Sequence, residues 1–245
     1  MDEAIIKEIR AEGNQGIEAV KRRRADQAGL HFNNALNLAE DLEDERTRRD
    51  EISVLSDLFE QCGFPYLALM AAEEAVELDR SLGLDELMGG DIIGVGNAHM
   101  RMENTVKAEA CFQEALAMFL KRADWADAAS ATTNLASVAA NRGEMAKAIE
   151  LLEESLEYLA KEPFEDTEIQ TRFALLQTME LDGRHADRAV ENARQLCGRL
   201  WDKMADVQRE VARDFVGRTV ERYLLAHPGT NAAAWKAKNF PMLWP

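Results

Sequence analysis

The feature that most constrains this chain is a set of small side chains that recurs at every fortieth position. The same residue type stands at four places with this spacing: Ala28, Ala68, Ala108 and Ala148. A second set of small residues lies twelve positions upstream: Gly16, Ser56, Gly96 and Ala136. A third set lies seven positions downstream: Ala35, Ala75, Ala115 and Ser155. A repeat of this length indicates a chain built from stacked copies of one small structural unit.

Each unit has the pattern of two amphipathic helices separated by a short break. In the fourth unit, apolar residues recur at helical spacing on both sides of Asn141-Arg142-Gly143. We expect the small residues to let two helix backbones approach closely, while a larger residue one turn on, such as Phe32 or Phe112, fills the adjoining gap. Gly63 and Gly143 should adopt the left-handed conformation that turns the chain back. Since one helix pair cannot bury both of its faces, neighbouring pairs must stack.

This pattern resembles the tetratricopeptide repeat family over about residues 9–168. One unit carries these matching residues: Ile92, Val95, Gly96, His99, Ala108, Phe112 and Ala115. The next carries Thr132, Leu135, Ala136, Ala139, Gly143, Ala148, Leu152 and Ser155. The length of the period is similar to that of kinesin light chain and cell-polarity adaptor repeats. The resemblance implies an all-α, right-handed superhelical solenoid of stacked antiparallel helix pairs with a C-terminal capping helix.

We expect the repeat array to occupy residues 1–200. Its units are predicted at about 9–48, 49–88, 89–128 and 129–168, with a weaker fifth unit at 169–200. The fifth is weaker because Ala189 falls one position later than the period counted from Ala148 predicts. In the first unit Glu12 and Gln15 replace apolar residues, which suits a terminal repeat that has one side in water. Residues 201–227 are predicted to form one capping helix.

Residues 228–245 form a tail that shows little helical patterning and contains Trp235, Phe240 and Trp244. Burial of a large apolar side chain stabilises by about 1.5–3 kcal/mol, so these aromatic rings should be buried somewhere. Two interpretations stay open. The tail either packs against the last helices or fills the groove of its own or a neighbouring molecule, which would allow a homo-oligomer.

Charge and composition argue against several function classes. The chain has 45 acidic and 29 basic residues, a net charge of −16, so its average surface repels nucleic acid and anionic lipid. We interpret the basic cluster Lys21-Arg22-Arg23-Arg24 as a solvated helix end. Cations are favourable there because the C-terminus is the negative pole of the helix dipole. No stretch approaches 18 uncharged apolar residues, the N-terminus does not have the pattern of a secretory signal, and the three cysteines are widely separated. We therefore expect a cytoplasmic protein without nucleic-acid or membrane partners.

The sequence also lacks the patterns expected of an enzyme. The four histidines do not occur in an HExxH motif. Gly94 and Gly96 are not followed by the residues of a phosphate-binding loop, and we interpret Gly89-Gly90 as a turn that enters a helix. We expect no catalytic residues, no cofactor and no metal.

The remaining candidate for function is a concave groove lined by the first helix of each unit. The repeat register places nine candidate residues there: Asp57, Gln61, Asn97, Met100, Arg101, Ser130, Asn134, Ser137 and Asn141. The resemblance implies that Asn97 and Asn134 hold an extended peptide by its backbone amides; for either residue the alternative is a hydrogen bond between repeats. The groove lacks the bases that would bind an acidic peptide terminus, so a neutral or basic segment is favoured.

These observations predict a non-catalytic scaffold or adaptor that binds a peptide or helical segment of a protein partner. The alternative is a regulatory sensor whose groove holds its own C-terminal tail or a small ligand.

Overall fold

A computed structural model describes residues 2–244 of the chain. This part of the chain contains no strand and forms twelve α-helices. They are α1 (Asp2–Lys21), α2 (Ala25–Glu40), α3 (Glu45–Gln61), α4 (Pro65–Leu82), α5 (Asp85–Arg101), α6 (Thr105–Arg122), α7 (Trp125–Asn141), α8 (Met145–Lys161), α9 (Glu165–Asp182), α10 (Ala186–Cys197), α11 (Asp206–Ala226) and α12 (Ala232–Asn239). The prediction of an all-α fold is confirmed.

The helices follow one another as pairs, and α1 packs on α2, α3 on α4 and α7 on α8. The predicted unit boundaries at 49, 89, 129 and 169 each fall four residues inside a helix, because α3, α5, α7 and α9 begin at 45, 85, 125 and 165. The small-residue spacing therefore predicts the period of the array but not the residue at which each pair begins.

Close backbone approach explains the repeated small residues. A Cβ atom at Gly16 would lie 2.1 Å from the ring of Phe32, and one at Gly96 would lie 2.4 Å from the ring of Phe112. Both distances are far below van der Waals contact, so only glycine fits at these two positions without movement of the ring. Gly89 is not part of an entry turn, as the sequence suggested. It lies within α5 against the ring of Phe119.

The turns within the first four helix pairs share one backbone conformation. Arg23, Gly63, Glu103 and Gly143 stand one repeat period apart and have φ angles of 57°, 80°, 61° and 78°. In each turn the next residue donates its backbone N–H to a carbonyl five residues earlier, as Phe64 does to Phe59 at 2.8 Å. The left-handed caps expected at Gly63 and Gly143 are confirmed, and Arg23 and Glu103 adopt the same conformation despite their side chains.

The chain divides into two compact units, one that ends at Phe119 and one that begins at Leu120. The core of the first unit contains Ile9, Phe32, Ile52 and Phe59 together with the repeated alanines of α2 and α4. The core of the second is larger and includes these fully buried residues: Leu152, Ile169, Leu176, Leu196, Leu200 and Phe240.

The C-terminal region differs from the expected single capping helix. A 3₁₀ turn spans Trp201–Lys203, and α11 begins only at Asp206. The side-chain oxygen of Gln208 accepts the Ala205 N–H at 2.8 Å, which stabilises a new helix start after the break. The tail also contains the short helix α12, which begins after Asn231 accepts the Ala234 N–H at 3.2 Å. The weak helical patterning of the tail did not predict this helix.

The aromatic residues of the tail pack against its own unit. The Trp235 ring stacks on Tyr223 of α11 at 4.5 Å between centroids, and Phe240 is fully buried in the core. Arg194 of α10 donates a hydrogen bond to Asn239. The tail thus packs on the last helices, and the interpretation in which it fills the groove of its own molecule is wrong. Homo-oligomerisation through the tail stays a prediction.

Candidate functional site

The first unit contains five of the nine candidate residues. Asp57 and Gln61 lie on α3, which buries Ile52, Leu55 and Phe59 on its opposite side. The other three candidates, Asn97, Met100 and Arg101, lie on α5, which packs beside α3.

Polar contacts connect α3 and α5. The Asn97 side chain donates a hydrogen bond to Glu60 Oε2 at 3.3 Å, and Arg101 Nε lies 3.7 Å from Glu60 Oε1. For Asn97 the structure therefore shows the hydrogen bond between repeats that the sequence left as an alternative. Asp57 is exposed, yet partial burial by surrounding groups raises the pKa of its carboxyl above the ordinary value.

The second unit contains the other four candidates on one stripe of α7: Ser130, Asn134, Ser137 and Asn141. Asn134 is half-buried, and its side chain forms no hydrogen bond with any residue between 2 and 244. Ser137 Oγ donates to the Thr133 carbonyl of its own helix at 3.2 Å. The amide group of Asn134 is consequently available to a ligand, whereas the Ser137 hydroxyl already has an acceptor.

A small cleft lies beside the C-terminal half of this stripe. It has a volume of about 180 Å³ and is lined by Ser137 and Asn141 of α7 and by Ala174, Gln177 and Leu181 of α9. Its polar groups are hydroxyls and amides, and no charged side chain lines it. Such a surface suits a neutral polar or small apolar group.

A hydroxyl cluster behind the α7 stripe fixes the position of this helix. Thr133 Oγ1 lies 2.9 Å from Ser155 Oγ of α8 and 2.9 Å from Thr171 Oγ1 of α9. Ser155 also donates to the Ala129 carbonyl at 2.9 Å. In the sequence Ser155 has the pattern of a small residue only, so this cluster was not predicted, although a hydroxyl at a position that elsewhere holds alanine was the available signal.

A buried ionic network holds the equivalent helices of the first unit. Arg49 of α3 donates from Nε to Asp79 of α4 at 2.6 Å and from Nη2 to Asp91 of α5. Ser53 donates to the other oxygen of Asp91 at 2.6 Å. Burial raises the pKa of Asp91 to about 6. The sequence did not predict this network, because charged residues at helical spacing have the same pattern as a solvated face.

One histidine, His99, is buried within α5. His99 is 5% exposed, and burial followed by the nearby charge of Lys107 lowers its pKa. Its Nδ1 atom has no hydrogen-bond partner. Between residues 2 and 244, no group of three or more His, Cys, Asp or Glu side chains is placed to hold a metal ion. Nor does any helix there have the length and apolar character needed to cross a membrane.

Comparisons with known proteins agree with this architecture. Residues 92–161 match the tetratricopeptide repeat family model. The apo form of RapI superposes with a TM-score of 0.65 at 16% identity, covering 94% of this chain and 84% of that one. A Rap protein complexed with Competence and Sporulation Factor gives a TM-score of 0.60 at 15% identity, covering 96% and 74%. Kinesin light chain TPR-like repeats from Podosopora anserina give a TM-score of 0.55 at 16% identity, covering 77% and 92%.

At these identities the structural similarities concern the fold alone. No curated protein matches the sequence. The family match, the helix pairs and the close contacts at Gly16 and Gly96 nevertheless agree with one another. Residues 92–161 are thus similar to the tetratricopeptide repeat family, and the chain has the fold of tetratricopeptide repeat proteins.

Proposed function

We propose that this protein is a non-catalytic interaction scaffold that binds a peptide or helical segment of a partner protein. The observation that carries the proposal is the half-buried Asn134 amide, which has no hydrogen-bond partner between residues 2 and 244. A polar group held in a partly buried place without a partner is unfavourable unless water or a ligand satisfies it.

The α7 stripe has the chemistry to bind an extended backbone. An asparagine side chain offers one acceptor and two donors, so Asn134 can pair with both the N–H and the C=O of one peptide unit. Each such bond contributes on the order of 0.5–1.5 kcal/mol. Asn141 and the cleft beside it can then receive a neighbouring side chain of the bound segment.

Taken by itself, the α3–α5 face of the first unit is expected to bind a peptide less tightly than the α7 stripe does. Asn97 must break its hydrogen bond with Glu60 before it can bind a peptide, and this loss offsets part of the binding free energy. Asp57 and Glu60 give this surface negative charge, although Arg101 lies beside Glu60. We expect a neutral or basic segment to bind better than an acidic one.

Two further findings support the proposal. One solved structure with a similar fold, the Rap protein, is complexed with Competence and Sporulation Factor. The three cysteines, Cys62, Cys111 and Cys197, are free thiols, which suits a reducing compartment, and we place the scaffold in the cytoplasm. A sensor that holds a small ligand in the same cleft stays a hypothesis.

Affinity purification from the native cell followed by calorimetric titration of the purified partner tests the proposal. Asn134→Ala should weaken binding roughly 2- to 13-fold for each hydrogen bond lost. The control is Asn37→Ala, because Asn37 is an exposed asparagine of α2 outside the candidate face. Equal affinities for the wild type and Asn134→Ala, with both proteins folded, would remove the α7 stripe from the proposal.

A further inference from the structure

The basic cluster at the turn between α1 and α2 is not explained by the proposed scaffold function. Elsewhere in the chain many arginines lie against carboxylates, as Arg10 does at 2.8 Å from Glu51. In the described chain no carboxylate oxygen lies within 4.0 Å of the side chains of Arg22, Arg23 or Arg24. All three arginines are exposed, and together they concentrate positive charge at this turn of a protein with a net charge of −16.

A cavity of about 370 Å³ adjoins this cluster. One wall is formed by Asn14 and Glu18 of α1 and by Arg22, which follows at the same helical spacing just after the end of this helix. The other wall comes from Arg24, just before α2, and from Gln27 in its first turn. The cavity is therefore polar on both walls, and its two arginines lie on opposite sides of the turn.

The other charged groups of this cavity are already compensated. Lys21 donates to Glu18 at 2.8 Å, and this hydrogen bond, followed by the charges of Lys21 and Arg22, holds the pKa of Glu18 below its ordinary value. The ring of His31, a further lining residue, lies 2.8 Å from Glu12 through its Nδ1 atom. Because no described carboxylate contacts Arg22 or Arg24, the cavity has a local excess of positive charge.

The remaining donors are suited to an oxyanion. Arg24 Nη1 donates to the side-chain oxygen of Gln27 at 3.4 Å, which leaves the Gln27 amide N–H groups free to donate. No side chain caps the start of α2, so its first backbone N–H groups also lack side-chain acceptors. Guanidinium groups bind phosphate through paired, charge-assisted hydrogen bonds.

We infer that the cavity formed by Arg22, Arg24 and Gln27 binds a single phosphate monoester group. A polyanion such as nucleic acid fits less well, because the strongly acidic remainder of the surface repels additional phosphates. This site is separate from the α7 stripe and does not depend on the proposed scaffold function.

The test is a titration of the full-length protein with O-phosphoserine, followed by NMR of its arginine and glutamine side chains at constant ionic strength. We expect saturable shifts of the Arg22 and Arg24 guanidinium signals and of the Gln27 amide. Arg22→Gln combined with Arg24→Gln should weaken binding about tenfold or more. The charge-matched control, Arg46→Gln combined with Arg80→Gln, removes two exposed arginines elsewhere in the first unit and should bind as the wild type does.

Glu18→Gln gives a second, opposite test that loss of folding cannot imitate. Removing this carboxylate should tighten O-phosphoserine binding, since it repels the bound phosphate. If inorganic phosphate binds as tightly as O-phosphoserine, the site recognises the phosphate group alone. If inorganic phosphate binds more weakly, the site also contacts the serine part of the ligand. The inference would be overturned if the two double-arginine variants lost equal affinity for O-phosphoserine. It would also be overturned by shifts that do not saturate, or by a short oligonucleotide that binds more tightly than O-phosphoserine.

Discussion

The two units hold equivalent helices together with different chemistry. In the first unit Ser53 donates to Asp91 at 2.6 Å, and in the second Thr133 lies 2.9 Å from Thr171. Each residue of the second pair stands two repeat periods after its counterpart in the first. The same contact is therefore ionic in one unit, where Arg49 and Asp79 complete it, and neutral in the other, where Ser155 completes it.

This difference shows that the repeat fixes where helices touch but leaves the type of contact open. Buried ion pairs are costly to desolvate and become strongly destabilising when one partner is removed. Neutral hydrogen bonds contribute on the order of 0.5–1.5 kcal/mol each and do not titrate. The first unit should consequently respond more strongly to mutation and to pH than the second.

The largest effect is expected for Arg49→Ala. This change leaves Asp79, which is fully buried, and Asp91 without their cation, and should lower the free energy of unfolding by about 3–5 kcal/mol. Urea denaturation at neutral pH measures it. Arg48→Ala is the matched control, since the half-buried pair of Arg48 with Glu74 should be worth about 1 kcal/mol or less. Equal losses for the two variants would contradict the ionic account.

The next effect concerns pH. Burial raises the pKa of folded Asp91 to about 6 from an ordinary value of 3.8, so the folded protein holds this proton more tightly than the unfolded chain. The contribution of Asp91 to stability is therefore present at low pH and is lost as the pH rises through about 6. Relative to Asp91→Asn, the wild type should lose about 2–3 kcal/mol of unfolding free energy between about pH 4 and pH 7.

Thr171→Val is the control for this pH experiment, because it changes the equivalent position of the second unit without removing a titratable group. Its difference from the wild type should stay constant over the same pH range. A parallel pH dependence in the two variants would show that Asp91 is not the source.

A smaller loss is expected for Thr133→Val. The substitution keeps the shape of the side chain but removes the hydroxyl that contacts Ser155 and Thr171, so the unfolding free energy should fall by about 1–2 kcal/mol. Urea denaturation with Ser137→Ala as the control measures this, since Ser137 is exposed and bonds only within α7. A loss as large as that of Arg49→Ala would remove the distinction between the two units.

The smallest effect is expected at the turns. Glu103 has a φ of 61°, whereas Gly143, one period later in the second unit, has the same conformation without a Cβ atom. Glu103→Gly should stabilise by about 0.5–1 kcal/mol, and Gly143→Ala should destabilise by about 1 kcal/mol. Thermal unfolding of both variants checks the opposite signs, and a destabilising Glu103→Gly would show that its side chain contributes something that the φ angle does not reveal.

The period of the fold was predictable from the sequence because close helix contacts demand small residues. Gly16 and Gly96 lie against aromatic rings, so the positions of these glycines in the sequence indicate where two helices pack closely. Gly63 and Gly143 indicate the left-handed turns because glycine adopts a positive φ angle without strain. The starts of the helices were less predictable. The break before α11 depends on a side-chain cap by Gln208, and the α12 segment has little amphipathic pattern.

The candidate site was predictable only as a set of helix faces. Spacing placed Asn97 and Asn134 on the first helices of their repeats, and both are half-buried. Their difference depends on Glu60, which comes from a neighbouring repeat and bonds to Asn97. The buried network of Arg49 was missed because only the tertiary structure distinguishes a buried charge from a solvated one.

The central claim, that the α7 stripe captures a segment of a partner, is tested most directly by NMR of the side-chain amides during titration with that partner segment. We predict that the Asn134 amide signals shift with saturation and become protected from hydrogen exchange. Saturable shifts confined to α2, α4 and α8, with the Asn134 signals unmoved, would contradict it.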